Sequence, residues 1–585
     1  MSTTHDGGEN QNKQSRREAL VFRFKSFLLQ IQRRFKDATG LKVRKHSLGA
    51  ALVERPVIAE SKTLLWTETE PEEKFLVAGK IQNLRLAVSE IDGVEIPAGE
   101  VFSFWKNVGR TTRGRGFVPG RELREGCIIP NIGGGLCQLS NALYDAALKA
   151  NFEIVERHAH TRVIAGSLAE QGRDATVFWN YVDLRFRSPQ PFRIEADLTG
   201  DHLAIKFRGT STDTPALHQI TRATVAKNGD TNSCASCGMD DCFRSIKPTA
   251  NLDFGKTAFL VDEYIPEFDD YIRSTRTGKD DLFLPLDGKR YGKANYAWTT
   301  DGFGGVGQSR YVTALRSFRS RRLAAQGAAR QKNLLAMYER LAASYARDLR
   351  FDALHVVVQQ NLLPFLWRSG QLRGRTFDVL MTSLQIAELQ SVLDAAQRLN
   401  PESTTLGDFR ADPRLVSDES EALLRARRII TSHTGIAEHF SNRVEVLPWQ
   451  MPERGKIEKQ ETEKPIIVFP SSTLGRKGCY ELRKAISGLD VRLVTLGPYI
   501  EDANFWSGFD TVRGDDDWLA VADLVVLPAF VEHRPRRLLS ATAAGIPVIA
   551  STACGVENIE GVTTIEAGDA VSLRSSIRRI LASIS

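Results

Sequence analysis

From residue 255 to the C-terminus, short apolar runs alternate with stretches of helical period, and this alternation restricts the fold more than any other feature. The runs at 257–261, 354–358, 466–469, 492–496 and 522–527 are largely apolar on consecutive positions, so each strand needs cover on both faces. Such strands belong to parallel sheets flanked by helices. The pattern predicts two Rossmann-like α/β halves, 255–445 and 446–585, meeting near 445–460.

Ahead of them the pattern changes. A chain of 585 residues is too long for one hydrophobic core. Residues 46–210 read as a compact α+β domain, with a helix at 79–89, a turn at 91–93, short strands and one strong helix. Residues 211–254 read as a polar linker carrying a cysteine cluster. Charged residues make up 25% and hydrophobic residues 42%, a balance that fits soluble globular units. The formal charge of +7 is small for this length, and no aromatic and basic residues interleave as in a nucleic-acid module, so nucleic acid is not an expected partner. No run approaches the ~18 apolar residues of a membrane span, residues 1–13 are polar, and the seven cysteines suit a reducing compartment. The expected location is cytoplasmic.

Residues 1–45 combine a polar tail with a basic amphipathic helix. Leu20, Val21, Phe24, Phe27, Leu28, Ile31 and Phe35 recur at helical spacing among Arg17, Arg23, Lys25, Arg33, Arg34 and Lys36. Two uses are open: lying peripherally on an anionic membrane surface, at its inner face, or docking onto the following domain.

Within 46–210, three glycines at 133–135 precede Leu136 and Cys137, and a helix with the stripe Leu139, Leu143, Ala146 and Ala147 begins there. A thiol at a helix start meets unpaired amides and the positive end of the dipole, both of which favour a thiolate. His158 and His160 follow at period two, which on a strand puts both on one face, and Asp174 heads a further expected strand. Thiolate, imidazole base and orienting carboxylate make a nucleophilic centre of the cysteine acyltransferase or amidase kind. A buried thiol beside a tight turn, with histidines at a sheet edge, is the structural alternative.

The ordered motifs at 96–105, 108–111, 115–117, 133–140, 156–160 and 172–177 resemble the VanW family, named from vancomycin-resistance gene clusters. The resemblance implies a role around the cell envelope or its precursors.

Cys234, Cys237 and Cys242 offer three soft ligands at zinc-like or iron–sulfur-like spacing, with a fourth to come from His218, a remote cysteine or an open position.

The strand and loop at 469–478 and the strand, loop, helix and Gly-x-Pro-Val run at 522–551 resemble those of group 1 glycosyltransferases of the GT-B fold; the resemblance covers roughly 256–585, clearly only after 422, with 422–448 as the linker into the nucleotide-sugar-binding half. The resemblance implies Glu532 beside the donor sugar, Lys477 and Gly478 at the diphosphate, and Gly545 before the next strand. Ser540 stands where a ribose-binding glutamate is expected, and Ser472 where an arginine is common. Losing two charge-assisted bonds of about 1.5–3 kcal/mol each weakens donor binding. In the first half, the glycines at 302–307 offer a phosphate or acceptor cradle or a plain turn, and His355 matches loosely a donor-facing histidine. Three functions follow as expectations. The first is glycosyl transfer from a nucleotide sugar to a glycan or envelope-precursor acceptor. The others are a non-catalytic regulator or scaffold on a GT-B fold, and a Cys137-centred acyltransferase or amidase.

Overall fold

The computed structural model describes residues 16–39, 43–67, 71–124, 127–160, 167–179, 181–210, 232–233, 255–323, 327–440, 442–453, 459–460 and 462–584. The chain forms two compact units. Unit 1 comprises Met1–Lys256 with Arg350–Leu354 and Leu372–Arg375, and unit 2 comprises Thr257–Leu349, His355–Gln371 and Thr376–Ser585. The cysteine cluster at 234–242 lies outside the described residues.

In unit 1, a four-stranded antiparallel sheet runs in the order Val57–Leu64, His202–Gly209, Phe192–Leu198, Glu95–Ile96. Residues alternate buried and half-buried along Phe192–Leu198 and His202–Gly209, as a sheet covered on one face requires. Two helices, Pro71–Ile91 and Cys137–Lys149, share the core beneath it with Phe152, Phe186, Phe192 and Phe207. The rings of Phe152 and Phe192 lie 4.6 Å apart, and those of Phe152 and Phe207 5.4 Å. The first helix is longer than the periodicity at 79–89 suggests, because its apolar face continues to Ile91.

Two three-stranded sheets complete the unit. One joins Val101–Ser103, Arg185–Arg187 and Glu153–Glu156. The other joins Pro119–Arg124 and Cys127–Ile132 antiparallel, with Asn232–Ser233 added parallel so that Asn232 pairs with Cys127. Backbone approaches are very close here. A Cβ on Gly79 would meet the Pro119 carbonyl at 2.0 Å, and one on Gly134 would meet the Gly120 carbonyl at 2.3 Å. These contacts seat the glycine run against the helix Pro71–Ile91, with Gly133 and Gly135 at positive φ.

Unit 2 holds two parallel sheets. The seven-stranded sheet runs Gly305–Gln308, Asp281–Leu284, Lys256–Leu260, Ala353–Gln359, Thr376–Leu380, Arg428–Thr431, Val444–Val446. The six-stranded sheet runs Thr511–Arg513, Arg492–Thr495, Ile466–Phe469, Leu524–Leu527, Val548–Ser551, Val562–Ile565. Both begin in sequence at an inner strand and reverse direction there, the doubly wound order that opens a crevice beyond the strands' carboxyl ends. Residues 422–448 are therefore no linker: they complete the first sheet with its last two strands. Nor do the glycines at 302–307 form a cradle. Gly305 and Gly307 lie in an edge strand, where a Cβ would strike Asp281 Oδ1 at 2.6 Å and the Phe283 ring at 2.7 Å.

Candidate functional site

Cys137 is the first residue of its helix, preceded by Leu136 without a side-chain cap. Among the described residues, the amides of Gly135, Leu136 and Cys137 have no backbone acceptor, so they point the positive helix end at the thiol's surroundings. Further along, Ser140 donates to the Ala175 carbonyl, and Asn141 Oδ1 accepts from the Ala175 amide at 2.7 Å. Those two bonds draw the segment 174–176 alongside the helix start, where Thr176 Oγ1 lies 3.6 Å from Cys137 Sγ.

His160 completes the group. Its Nδ1 lies 2.6 Å from Asp174 Oδ1, and its backbone amide donates to Asp174 Oδ2 at 2.5 Å. Asp174 is 3% exposed and its backbone carbonyl accepts from Arg157 Nε, so side chain and main chain are both held. Burial alone would raise the Cys137 thiol, but the hydrogen bond and charge of His160, with help from Val177 and Thr176, bring it below its ordinary value. Burial likewise would depress His160, yet its bonds to Asp174 and Cys137 lift it to about 10. The two shifts belong to one coupled pair, in which the charged form of each group favours the charged form of the other. Cys137, His160 and Thr176 line a cavity of about 530 Å³ that also receives Trp105, Arg121 and Trp179.

The sequence could not distinguish the two histidines, because the strand that would align them ends at Glu156. His158 lies outside the cavity lining: its ring is 3.2 Å from Glu156 Oε1, and its carbonyl accepts from the Thr176 amide at 2.8 Å. Asp174 heads no strand; only a bridge between Phe178 and Val182 follows it. Ser140, Asn141 and Thr176 are the residues that sequence reasoning missed. The first two carried a signal, since they fall one turn beyond Cys137 on the same helix.

In unit 2, Lys477 closes the short turn Gly475–Lys477 after Ile466–Phe469, and its Nζ lies 2.8 Å from Glu532 Oε2 and 3.0 Å from the Val531 carbonyl. Burial opposes the charge on Glu532, but Lys477 holds its carboxyl below the usual range. Glu532 precedes the helix Arg536–Ala543 at the carboxyl end of Leu524–Leu527. Gly478 serves packing, for a Cβ there would meet the Pro528 carbonyl at 1.9 Å. Gly545 follows the far end of that helix, about 12 Å of helix away from Glu532, and terminates it at φ 76°. The Ser540 hydroxyl is turned back to the Arg536 carbonyl at 3.0 Å. His355 sits toward the amino end of its strand, bound to Thr376 and Arg427 and 3.4 Å from Asp378, on the edge opposite the crevice.

Two other histidines occupy the crevice. His433 Nε2 reaches the carbonyls of Glu532 and Ala553 at 3.0 and 3.3 Å, and His533 Nε2 accepts from the Leu384 amide. Burial keeps both neutral by lowering their pKa values. They line a cavity of about 470 Å³ together with Glu388, Glu438, Glu557 and Glu566. Among the described residues no group of His, Cys, Asp and Glu is arranged to hold a metal ion.

The glycine run, the cysteine-bearing helix and most strands of the sheets around them fall in the span 79–208, which matches the family model described as VanW like protein. This part of the chain is a VanW-like domain. Residues 466–583 match a second family model, Glycosyl transferases group 1. Among curated proteins, YoaR of Bacillus subtilis (strain 168) is 34% identical over 143 residues, 24% of this chain and 46% of that protein. The Vancomycin B-type resistance protein VanW of Enterococcus faecalis (strain ATCC 700802 / V583) is 28% identical over 138 residues, 23% of this chain and 49% of that protein. The chain thus spans about half the length of the curated relatives it matches. Among solved structures, sucrose-phosphate synthase from Thermosynechococcus elongatus aligns over 56% of this chain and 90% of its own, with 15% identity and a TM-score of 0.35. Anabaena HepE in complex with UDP and glucose aligns over the same shares with 12% identity and a TM-score of 0.35.

Proposed function

We propose that the VanW-like domain is a thiol-dependent acyl-transfer centre, acting on cell-envelope glycan or its precursors at the inner face of a membrane. The observation that carries this reading is the Cys137–His160–Asp174 chain opening into a cavity of about 530 Å³. Asp174 holds Nδ1 of His160, which leaves Nε2 for the thiol. The Cys137 thiolate adds to an acyl carbonyl, forming the C–S bond as the carbonyl π pair moves to oxygen. The amides at 135–137, which have no backbone acceptor among the described residues, would receive that oxyanion. On collapse, the bond to the leaving nitrogen or oxygen breaks and the imidazolium proton goes to the leaving atom. His160 then takes a proton from the incoming water or amine as it attacks the thioester, and the thiolate departs. The envelope setting is in keeping with the vancomycin-resistance name of the Enterococcus relative. The full chain exposed to p-nitrophenyl acetate should gain one hydroxylamine-labile acetyl group at Cys137, and His160→Gln should slow its formation. Equal acylation of the Cys137→Ala variant would remove the reading.

For unit 2, the match to group 1 glycosyltransferases supports glycosyl transfer from a nucleotide sugar, with the diphosphate at Lys477 and the start of helix Arg536–Ala543 and with Glu532 beside the sugar. The VanW-like domain would then act on or bind the acceptor. Ser540, bound back to its own helix, favours instead a non-catalytic scaffold on the same fold. Nucleotide-induced thermal stabilisation distinguishes the two. The spacing of Cys234, Cys237 and Cys242 supports a zinc or iron–sulfur site in the segment between the units' matched regions.

A further inference from the structure

The helix Arg16–Thr39 rests on unit 1 by its polar side. Ser26 is 8% exposed, and Gln30 and Arg33 are half-buried. Spaced four and three residues apart, these positions share one face. Arg33 makes a two-pronged bond to Glu156, Nη1 to Oε1 at 2.8 Å and Nη2 to Oε2 at 2.7 Å, and lies 3.6 Å from Asp183 Oδ2. Burial works against the charge on Glu156, but His158 and Arg33 hold its carboxyl down at about 2, so the clamp stays ionised throughout the working pH range.

The apolar side is turned outward. Val21, Phe24 and Leu28, spaced three and four apart, lie roughly half a turn from Ser26 and are 51%, 63% and 49% exposed. Phe27 beside them is 58% exposed. This arrangement inverts the usual packing of an amphipathic helix, which buries its apolar stripe in the protein. At about 100° per residue, positions 23 and 34 fall on one flank of the stripe and positions 25 and 36 on the other, and these are Arg23, Arg34, Lys25 and Lys36. The helix carries seven Lys and Arg against two acidic residues.

We propose that Arg16–Thr39 is an in-plane anchor for an anionic phospholipid bilayer. Val21, Phe24, Phe27 and Leu28 enter the boundary between headgroups and acyl chains, the flanking cations meet lipid phosphates, and Arg33 keeps the helix fastened to the VanW-like domain. A second copy of the chain is the poorer occupant, because pairing two such stripes brings basic flank against basic flank. No helix among the described residues is long and apolar enough to cross a membrane, which leaves surface attachment for this one. The inference rests on the peripheral attachment in the proposed function and is independent of the chemistry at Cys137 and in unit 2.

The test is co-sedimentation of the full chain with phosphatidylglycerol/phosphatidylcholine vesicles and with phosphatidylcholine alone. Binding should favour the anionic vesicles and weaken in about 1 M salt, where the Debye length falls to ~3 Å. Phe24→Asp combined with Leu28→Asp should lower affinity about ten-fold or more. Gln30→Asp, on the docked face, should leave it within about two-fold, with unchanged thermal melting in each variant. Binding that survives the double substitution would keep peripheral attachment but overturn this anchor, and equal loss with Gln30→Asp would overturn the outward orientation. If no vesicle binds, both fall. Self-association abolished by the double substitution, without lipid binding, would assign the stripe to a second copy and overturn the lipid.

Discussion

Replacing His160 by Gln tests the central chemical claim, because it removes the group that holds the Cys137 thiol down while leaving the cavity's shape nearly intact. An ordinary thiol of pKa ~8.5 is only ~3% thiolate at neutral pH. Were Cys137 fully ionised there, its alkylation would run up to about 30-fold faster than that of a reference thiol of equal access. With His160 gone, the burial that opposes ionisation is uncompensated, so the rate near neutral pH should fall, by up to about that 30-fold. The pH profile carries the sign. His160 is raised in the folded state, so the stability it lends is complete below its ordinary value and lost as pH rises through about 10. Cys137 is lowered, so its share is present above the ordinary thiol value and lost as pH falls through its folded value. The ion pair occupies the window between the lowered thiol value and about 10. The assay is iodoacetamide labelling of the full chain, read by peptide mass spectrometry, with Cys554 as the internal control, buried and pushed up to about 12. Asp174→Asn should slow labelling several-fold, through the orientation of the ring, and His158→Gln should not change it. A wild-type labelling midpoint at or above pH ~8.5, or equal losses from His158→Gln and His160→Gln, would refute the coupled-pair argument.

Other outcomes are open to direct measurement. Nucleoside diphosphate at millimolar concentration should raise the melting temperature of unit 2, Lys477→Ala should erase the shift, and Ser540→Glu should enlarge it; a flat response in the wild type leaves the scaffold reading. Elemental analysis of anaerobically purified chain should find about one metal site, lost in the triple Cys234, Cys237 and Cys242→Ser variant. Cys137→Ser should leave that site intact, and metal-free wild-type protein ends the idea. Glu419, pushed by burial to about 7 against its bonds from Ile386 and Gln360, should cost unit 2 up to about 3 kcal/mol as pH rises from 4.5 to about 7. Calorimetry that shows the same pH slope in wild type and Glu419→Gln would dismiss it.

The parallel sheets were legible because a strand covered on both faces must be apolar throughout, as at Ile466–Phe469, where all four residues are buried. The helix start at Cys137 was legible because glycines followed by an apolar helical stripe mark one. The choice between His158 and His160 was not, since period two has meaning only while the strand lasts and this one stops at Glu156. His433 and His533 escaped for another reason. Each meets partners about 100 residues or more away, His433 at Glu532 and Ala553 and His533 at Leu384, and no local pattern encodes such a meeting. The same holds for Arg33, which reads as one more surface cation until Glu156, 123 residues on, is beside it.

The discontinuity of unit 1 bears on how this chain can be divided. Two later segments, Arg350–Leu354 and Leu372–Arg375, return to it. There the Gly374 amide donates to the Leu198 carbonyl at 3.0 Å, the Arg373 carbonyl accepts from Arg85 Nε at 2.6 Å, and the Arg373 guanidinium pairs with Asp92 at 2.6 Å. A stop codon at residue 256 would therefore strip a strand end and a buried guanidinium of their partners, although the family match ends well before it, at 208. The VanW-like module of this protein is thus not a cassette that one cut releases. A recombinant version would need the two short returns grafted back, or surrogates for them, and natural shuffling that swapped the C-terminal half would have to carry them along.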